Sequence, residues 1–239
     1  MIELDLHCSV QTHAAPSPYV IEVASMFGIG LDEQRTIELI PPTRLTLAPG
    51  RVVFITGASG GGKSTLLRLI REGIGRSVSH DRPTAIDFDT INPPDDCAIV
   101  DGFSQANPPD DAATPPLKEV LRWLSLSGIN DAFVMLRRPG ELSDGQRYRL
   151  KLAHAMALAQ VSTAAWPVIL ADEFGASLDR VTAQAVSRGV RKWATRSGTC
   201  VVAATTHDDL LEALDPDVLI HQQPGSAMTM VARQTKDHP

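Results

Sequence analysis

The chain has 239 residues, 43% of them apolar and 21% charged, which suits one large domain or two small ones of roughly 100–200 residues each. No run reaches the ~18 uninterrupted apolar residues of a membrane span. The acidic, alternating start Met1-Ile2-Glu3-Leu4-Asp5-Leu6 lacks a secretory-signal pattern, so a cytoplasmic location is expected. A net charge of −6 argues against a wholesale nucleic-acid coat but allows a local basic cluster, such as Arg137-Arg138 with Arg147 and Arg149.

In chain order, residues 19–26 and 35–39 alternate, or nearly so, and are expected as strands of a small antiparallel layer. Pro41-Pro42 interrupts that layer, and Pro49-Gly50 turns the chain into the apolar run Val52-Val53-Phe54-Ile55. Residues 57–65 follow, Gly-Ala-Ser-Gly-Gly-Gly-Lys-Ser-Thr, with the G-x-x-x-x-G-K-[ST] spacing of a phosphate-binding loop. Gly57, Gly60 and Gly62 let the backbone curl until the N–H groups around Ser59 converge on an anion. The helical periodicity after Thr65 sets the positive end of a helix against it. Lys63 is placed to reach the β- and γ-phosphates, and Ser64 to ligate Mg²⁺.

Four short apolar runs, at 51–56, 98–101, 167–171 and 199–204, read as buried strands of a mostly parallel α/β core sheet. The Pro-rich stretch 107–116 reads as an exposed loop. Beyond it Leu117, Val120, Leu121 and Leu124 form a helical stripe, and 131–136 and 144–159 read as two more helices. The expected organisation is one domain over 1–239, with a helical subdomain inserted at about 106–160. The tail is polar apart from 228–232, an expected edge strand. Cys8, Cys97 and Cys200 show no paired spacing. Cys97 and Cys200 fall in apolar runs and are expected as buried thiols, while His7, Cys8 and His13 lack a fourth ligand and make no strong metal case.

The run Val168-Ile169-Leu170-Ala171 ends in Asp172-Glu173. Successive side chains at a strand tip diverge, so the two carboxylates can take different tasks. Asp172 suits holding Mg²⁺ beside Ser64, and Glu173 suits polarising an attacking water.

Leu142-Ser143-Asp144-Gly145-Gln146 resembles the signature motif of the ABC-type ATPases, and the order of landmarks is similar to that family. The resemblance implies a P-loop ATPase fold with an N-terminal antiparallel β layer, ATP and Mg²⁺ as ligands, and ATP hydrolysis. It implies that Ser143, Gly145 and Gln146 meet the γ-phosphate of ATP held by a second subunit, in a homodimer or a pairing with another cassette. Ser143 is independently a good helix N-cap. Gln105, forty-two residues after Lys63, resembles the glutamine that senses the γ-phosphate through Mg²⁺ or water. Ser177-Leu178-Asp179 resembles the segment that crosses the dimer interface, and His207 the histidine on the γ-phosphate. Phe27 is expected as the adenine-stacking aromatic, with Tyr19 in reserve. Asp144 departs from the family's usual glycine and is expected to point outward.

Only thirty-eight residues separate Gln105 from Ser143. With the unusual lead Arg137-Arg138-Pro139-Gly140, this shortness points to a soluble, stand-alone ATPase outside membrane transport. Residues 131–153 also resemble cassettes coupled to acetyltransferase-like domains. The alternatives are the ATP-binding subunit of a membrane transporter, and a nucleic-acid repair or maintenance ATPase.

Overall fold

The computed structural model describes residues 1–12, 15, 17–28, 30, 35–77, 82–105, 114–223 and 228–233. A two-stranded antiparallel layer pairs β1 (Ile2–Thr12) with β2 (Arg35–Leu47). Between them lies a helix, α1 (Pro18–Met26). This corrects the strand expected at 19–26. Ser17 accepts a hydrogen bond from the Val20 N–H and Pro18 opens the first turn, a start signal that outweighs the β-branched content. Pro41 and Pro42 do not end the strand either. The register steps from Cys8↔Ile40 to Leu6↔Thr43, so both prolines lie opposite the single residue His7. The bulge absorbs their missing donors.

The main sheet takes its first strand from β3 (Val52–Thr56), which is followed by α2 (Lys63–Arg76) and β4 (Thr84–Asp87). The helical region follows as α3 (Gly102–Gln105), α4 (Leu117–Leu126), α5 (Ala132–Met135) and α6 (Asp144–Val161). The chain then returns through β5 (Pro167–Ala171), α7 (Arg180–Ser197), β6 (Cys200–Ala204), α8 (Leu211–Leu214), β7 (Val218–His221) and β8 (Thr229–Ala232). The strand order is β4-β5-β6-β3-β7-β8, parallel except for the antiparallel edge strand β8. The strand expected at 98–101 is a turn. Asp101 and Gly102 N–H groups donate to the Ala98 carbonyl, and Ile99 N–H donates to Arg137. The other two of the five parallel strands are β4 and β7, neither of which is expected from the sequence. Residues 106–113, most of the expected loop, lie outside the described residues.

The core strands are buried on both faces, as their unbroken apolar runs require. Val52, Phe54, Ile169, Ala171, Val201 and Ala203 pack beneath α4, α6 and α7. Val53, Ile55, Val168, Leu170 and Val202 face the other way, onto Leu66, Ile70 and Ile74 of α2 and onto Leu4, Ile40 and Leu45 of the antiparallel layer. Each buried Val, Leu, Ile or Phe among them contributes about 1.5–3 kcal/mol of burial. A polar tie joins the strands to α7: Asp217 accepts from the Val52 N–H (2.8 Å) and pairs with Arg191 (2.6 Å). Burial pushes the Asp217 carboxyl up, but the Arg191 and Val52 hydrogen bonds outweigh it and leave the group below the usual range. Cys200 is buried, its thiol pushed up to about 12 by burial. Cys97 is only half-buried, because its segment is a turn rather than a strand.

Candidate functional site

Strands β3, β5 and β6 all end at one edge of the sheet, and the loops that leave them build a cleft of about 420 Å³. Ligands in open α/β sheets sit at this carboxyl edge. Because β6 lies between β3 and β5, the loop at 57–65 and the Asp172-Glu173 pair face each other across the end of β6. Ser59, Gly60, Gly62, Lys63, Ser64, Thr65, Asp172 and Glu173 all line the cleft.

The loop's shape is set by glycine where no other residue fits. Gly57 has φ +136°, and a Cβ there would sit 1.8 Å from the Gln222 carbonyl oxygen. Gly62 caps α2 in a left-handed conformation at φ +91°. Lys63 is buried, and its Nζ donates to the Gly57 and Ala58 carbonyls, both at 2.8 Å. The ammonium is therefore held inside the curl of the loop, where an anion on the N–H groups would meet it. Gln222 floors the loop: its N–H donates to Thr56, and its Nε2 donates to the Leu39 carbonyl at 3.1 Å.

Opposite, Glu173 adopts φ +45°, a left-handed conformation uncommon for a side chain of this size and characteristic of functional turns. Its N–H donates to Asp172 Oδ1 at 2.9 Å. Phe174 N–H is tied to Ala204 and Gly175 N–H to the Tyr148 hydroxyl. Asp89 lies nearby, its pKa raised by burial, then by Asp87, with Asp172 and Glu173 adding to the shift. Asp172 and Glu173 put two carboxylates at this end of the cleft, which suits it to a cation.

Other expected residues lie elsewhere. Ser143, Gly145 and Gln146 open α6 and do not line the cleft. They form a capping box, with Ser143 Oγ accepting from Gln146 N–H (3.3 Å) and Gln146 Oε1 from Ser143 N–H (3.0 Å). Asp144 points outward and pairs with Arg147 at 2.6 Å. Arg149 turns inward instead, bridging the Gly145 and Gly128 carbonyls at 3.1 and 2.8 Å. His207 is exposed beside Thr205 and Thr206, which do line the cleft. Gln105 ends the short α3, and its side chain lies outside the described residues. Phe27, 74% exposed, ends α1, and Tyr19, 80% exposed, lies in its first turn; neither lines the cleft. The apolar wall near the loop is Leu39 of β2. Leu39, Thr205 and Ala176 escaped the sequence reading. Only Thr205 had a signal, its place directly after a buried strand. His13 lies outside the described residues, and among those described no His, Cys, Asp or Glu group is arranged to hold a metal by itself.

A phosphate-binding loop after the first parallel strand, facing a strand-end carboxylate pair, defines the P-loop class of nucleotide triphosphatases. A family model described as ABC transporter matches residues 41–174. The chain belongs to the ABC transporter family. The chain is 30% identical over 203 residues to an ABC transporter ATP-binding protein of Mycobacterium tuberculosis, covering 73% of this chain and 56% of that protein. It thus spans about half the length of that relative. The lipoprotein-releasing system ATP-binding protein LolD of Acinetobacter baylyi is 29% identical over 236 residues, covering 87% and 97% of the two chains. Among solved structures, the ATP-binding cassette MJ0796 as a dimer bound to ADP and Pi superposes with a TM-score of 0.62 at 20% identity, over 84% and 93% of the chains. At that identity the likeness is one of fold.

These relatives overturn the expectation of a soluble ATPase outside transport, since they carry the names of transporter and lipoprotein-releasing components. The short stretch between Gln105 and Ser143 was a poor guide. It is long enough to seat Val120, Trp123, Leu124 and Val134 in the core against α6, so the helical region is small but built.

Proposed function

We propose that this chain is the ATP-binding subunit of a membrane ABC transporter, binding Mg-ATP in the cleft and hydrolysing it in a dimer of cassettes. The transporter role rests on the names of the relatives, and the observation that carries the two-chain site is the separation of Ser143 from the cleft. One chain supplies the loop, Asp172 and Glu173 at one place and the capped start of α6 at another, so two chains are needed to bring the two together over one nucleotide. The dimeric form of MJ0796 and the names of the relatives support it.

In this reading the N–H groups of 59–65 and the start of α2 bind the triphosphate, and Lys63 neutralises its β- and γ-oxygens. The donor set fits Mg²⁺: the Ser64 hydroxyl and the Asp172 carboxylate are hard oxygen ligands on one cleft, and this ion is usually held by one or two such groups besides phosphate and water. The bound ion would offset charge on the phosphates. Glu173 orients and takes a proton from the attacking water, and His207 and Gln105 approach the γ-phosphate only as the dimer closes. Residues 1–239 form a single cassette, with the helical subdomain at about 106–160 facing the membrane partner. The narrower likeness to acetyltransferase-coupled cassettes has no counterpart in the relatives named above.

Glu173→Gln tests the reading. The variant should bind ATP, lose turnover, elute as a dimer in gel filtration with ATP, and retain a membrane-embedded subunit when detergent extracts of its own cells are purified. Turnover at the parent rate would overturn the role of Glu173, and an ATP-saturated monomer would overturn the two-chain site.

A further inference from the structure

Tyr148 sits on α6 one turn after the Ser143 cap, yet its hydroxyl reaches the other side of the molecule's chemistry. The Gly175 N–H donates to it at 2.8 Å. Its ring lies 5.0 Å from Phe88 and 6.4 Å, edge-on, from Phe174, and burial of the hydroxyl raises its pKa well above the ordinary tyrosine value. Gly175 is buried and at φ +74°, two residues beyond Glu173 at φ +45°. The turn that presents Glu173 has its own local bonds, from Glu173 N–H to Asp172 Oδ1 and from Ala176 N–H to the Glu173 carbonyl. Besides these it is tied to the rest of the molecule at two backbone points: Phe174 N–H on the Ala204 carbonyl and Gly175 N–H on Tyr148. The first point belongs to the sheet. The second belongs to the helix that begins at Ser143.

We propose that Tyr148 is a positioning residue for Glu173: its hydroxyl holds Gly175 so that the left-handed turn aims the carboxylate into the cleft. The inference rests on the reading of Glu173 as the group that activates water. A glutamate in the left-handed region is strained, so it persists only where its surroundings hold it. With the Gly175 N–H released, the turn can relax and withdraw the carboxylate while leaving the loop at 57–65 untouched. Among the described residues Tyr148 does not line the cleft, so nucleotide affinity should not depend on it.

The test compares Tyr148→Phe, which keeps the ring and removes the oxygen, with Val190→Ala, a cavity in the same core far from the turn. Both should melt at lower temperature than the parent, the first because it strands a buried N–H and the second because it loses packing. Tyr148→Phe should lower kcat by about tenfold or more, the order expected when a catalytic group is misplaced, with KM for ATP within about twofold. Val190→Ala should leave kcat at the parent value below its melting range. Parent kcat in Tyr148→Phe, or an equal loss in both variants, would overturn the proposal. Glu173→Gln measured alongside separates the two layers: if it turns over normally, the reading of Glu173 fails and not merely that of Tyr148.

Discussion

At the scale of single residues, the phosphate-binding loop leaves very little latitude. Gly57 combines a positive φ with a position where a Cβ would collide with the Gln222 backbone, so Gly57→Ala must move either the loop or the end of β7. We expect loss of ATP binding by calorimetry together with a lower melting temperature. Lys63 shows the opposite separation. Its ammonium is held by two loop carbonyls, and it is a flexible side chain rather than part of the loop's frame. Lys63→Ala should melt within a few degrees of the parent yet bind ATP about 10–100-fold more weakly, the range of one or two charge-assisted hydrogen bonds. Binding at parent affinity would contradict the cleft assignment.

At the scale of elements, α6 joins stability and assembly in one cap. Ser143 closes a reciprocal box with Gln146, and its loss in Ser143→Ala should cost about 1 kcal/mol, or about 2–4 °C for a chain of this size. Ser143→Asp keeps an acceptor at the N-cap, so it should melt close to the parent. It also adds a negative charge where a partner's triphosphate would dock. In the Glu173→Gln background it should weaken the ATP-dependent dimer in gel filtration, whereas an unchanged dimer would show that this helix start does not face nucleotide. α3 and α6 are joined by a different device. His154 of α6 stacks on Phe103 at 4.1 Å, nearly parallel, and its Nε2 is buried with no partner among the described residues.

At the scale of the whole molecule, that histidine sets a pH limit. Burial pushes the His154 pKa down to about 4 from 6.5. The unfolded chain therefore takes up a proton between those values that the folded chain refuses. Stability is full above about pH 6.5 and declines as pH falls, with about 2 kcal/mol lost by pH 5 from this group alone. Urea midpoints measured at pH 7.5 and pH 5 should show the decline, and His154→Leu should flatten that part of it. His154 is the only buried histidine among the described residues, so the histidine-linked part of the decline falls on this one group.

The parts legible in the sequence were those whose physics is local. The loop at 57–65 announces itself because its ligands are contiguous backbone N–H groups, and the Ser143 cap because it bonds three residues ahead. The stripe of Leu117, Val120, Leu121 and Leu124 marked α4 correctly for the same reason. Misreadings fell where distant partners decide. Residues 98–101 are as apolar as a strand but bond to Met135 and Arg137, whereas β4, half exposed and short, is a strand only because β5 lies alongside it. Residues 19–26 carried a start signal in Ser17-Pro18 that the β-branched content masked.

The sequence by itself therefore determined the ligand chemistry, a triphosphate on a glycine-rich loop with a lysine and a hydroxyl beside it. Only the tertiary structure decided which groups stand across from that loop. The order β5-β6-β3 brings Asp172 and Glu173 to face it, Gln222 and Leu39 wall it, and Tyr148 reaches from α6 to the turn behind Glu173. Ser143, by contrast, is held away from it. Strand order and helix packing arise from burial of apolar surface between segments far apart in the chain, and no local pattern encodes such pairings.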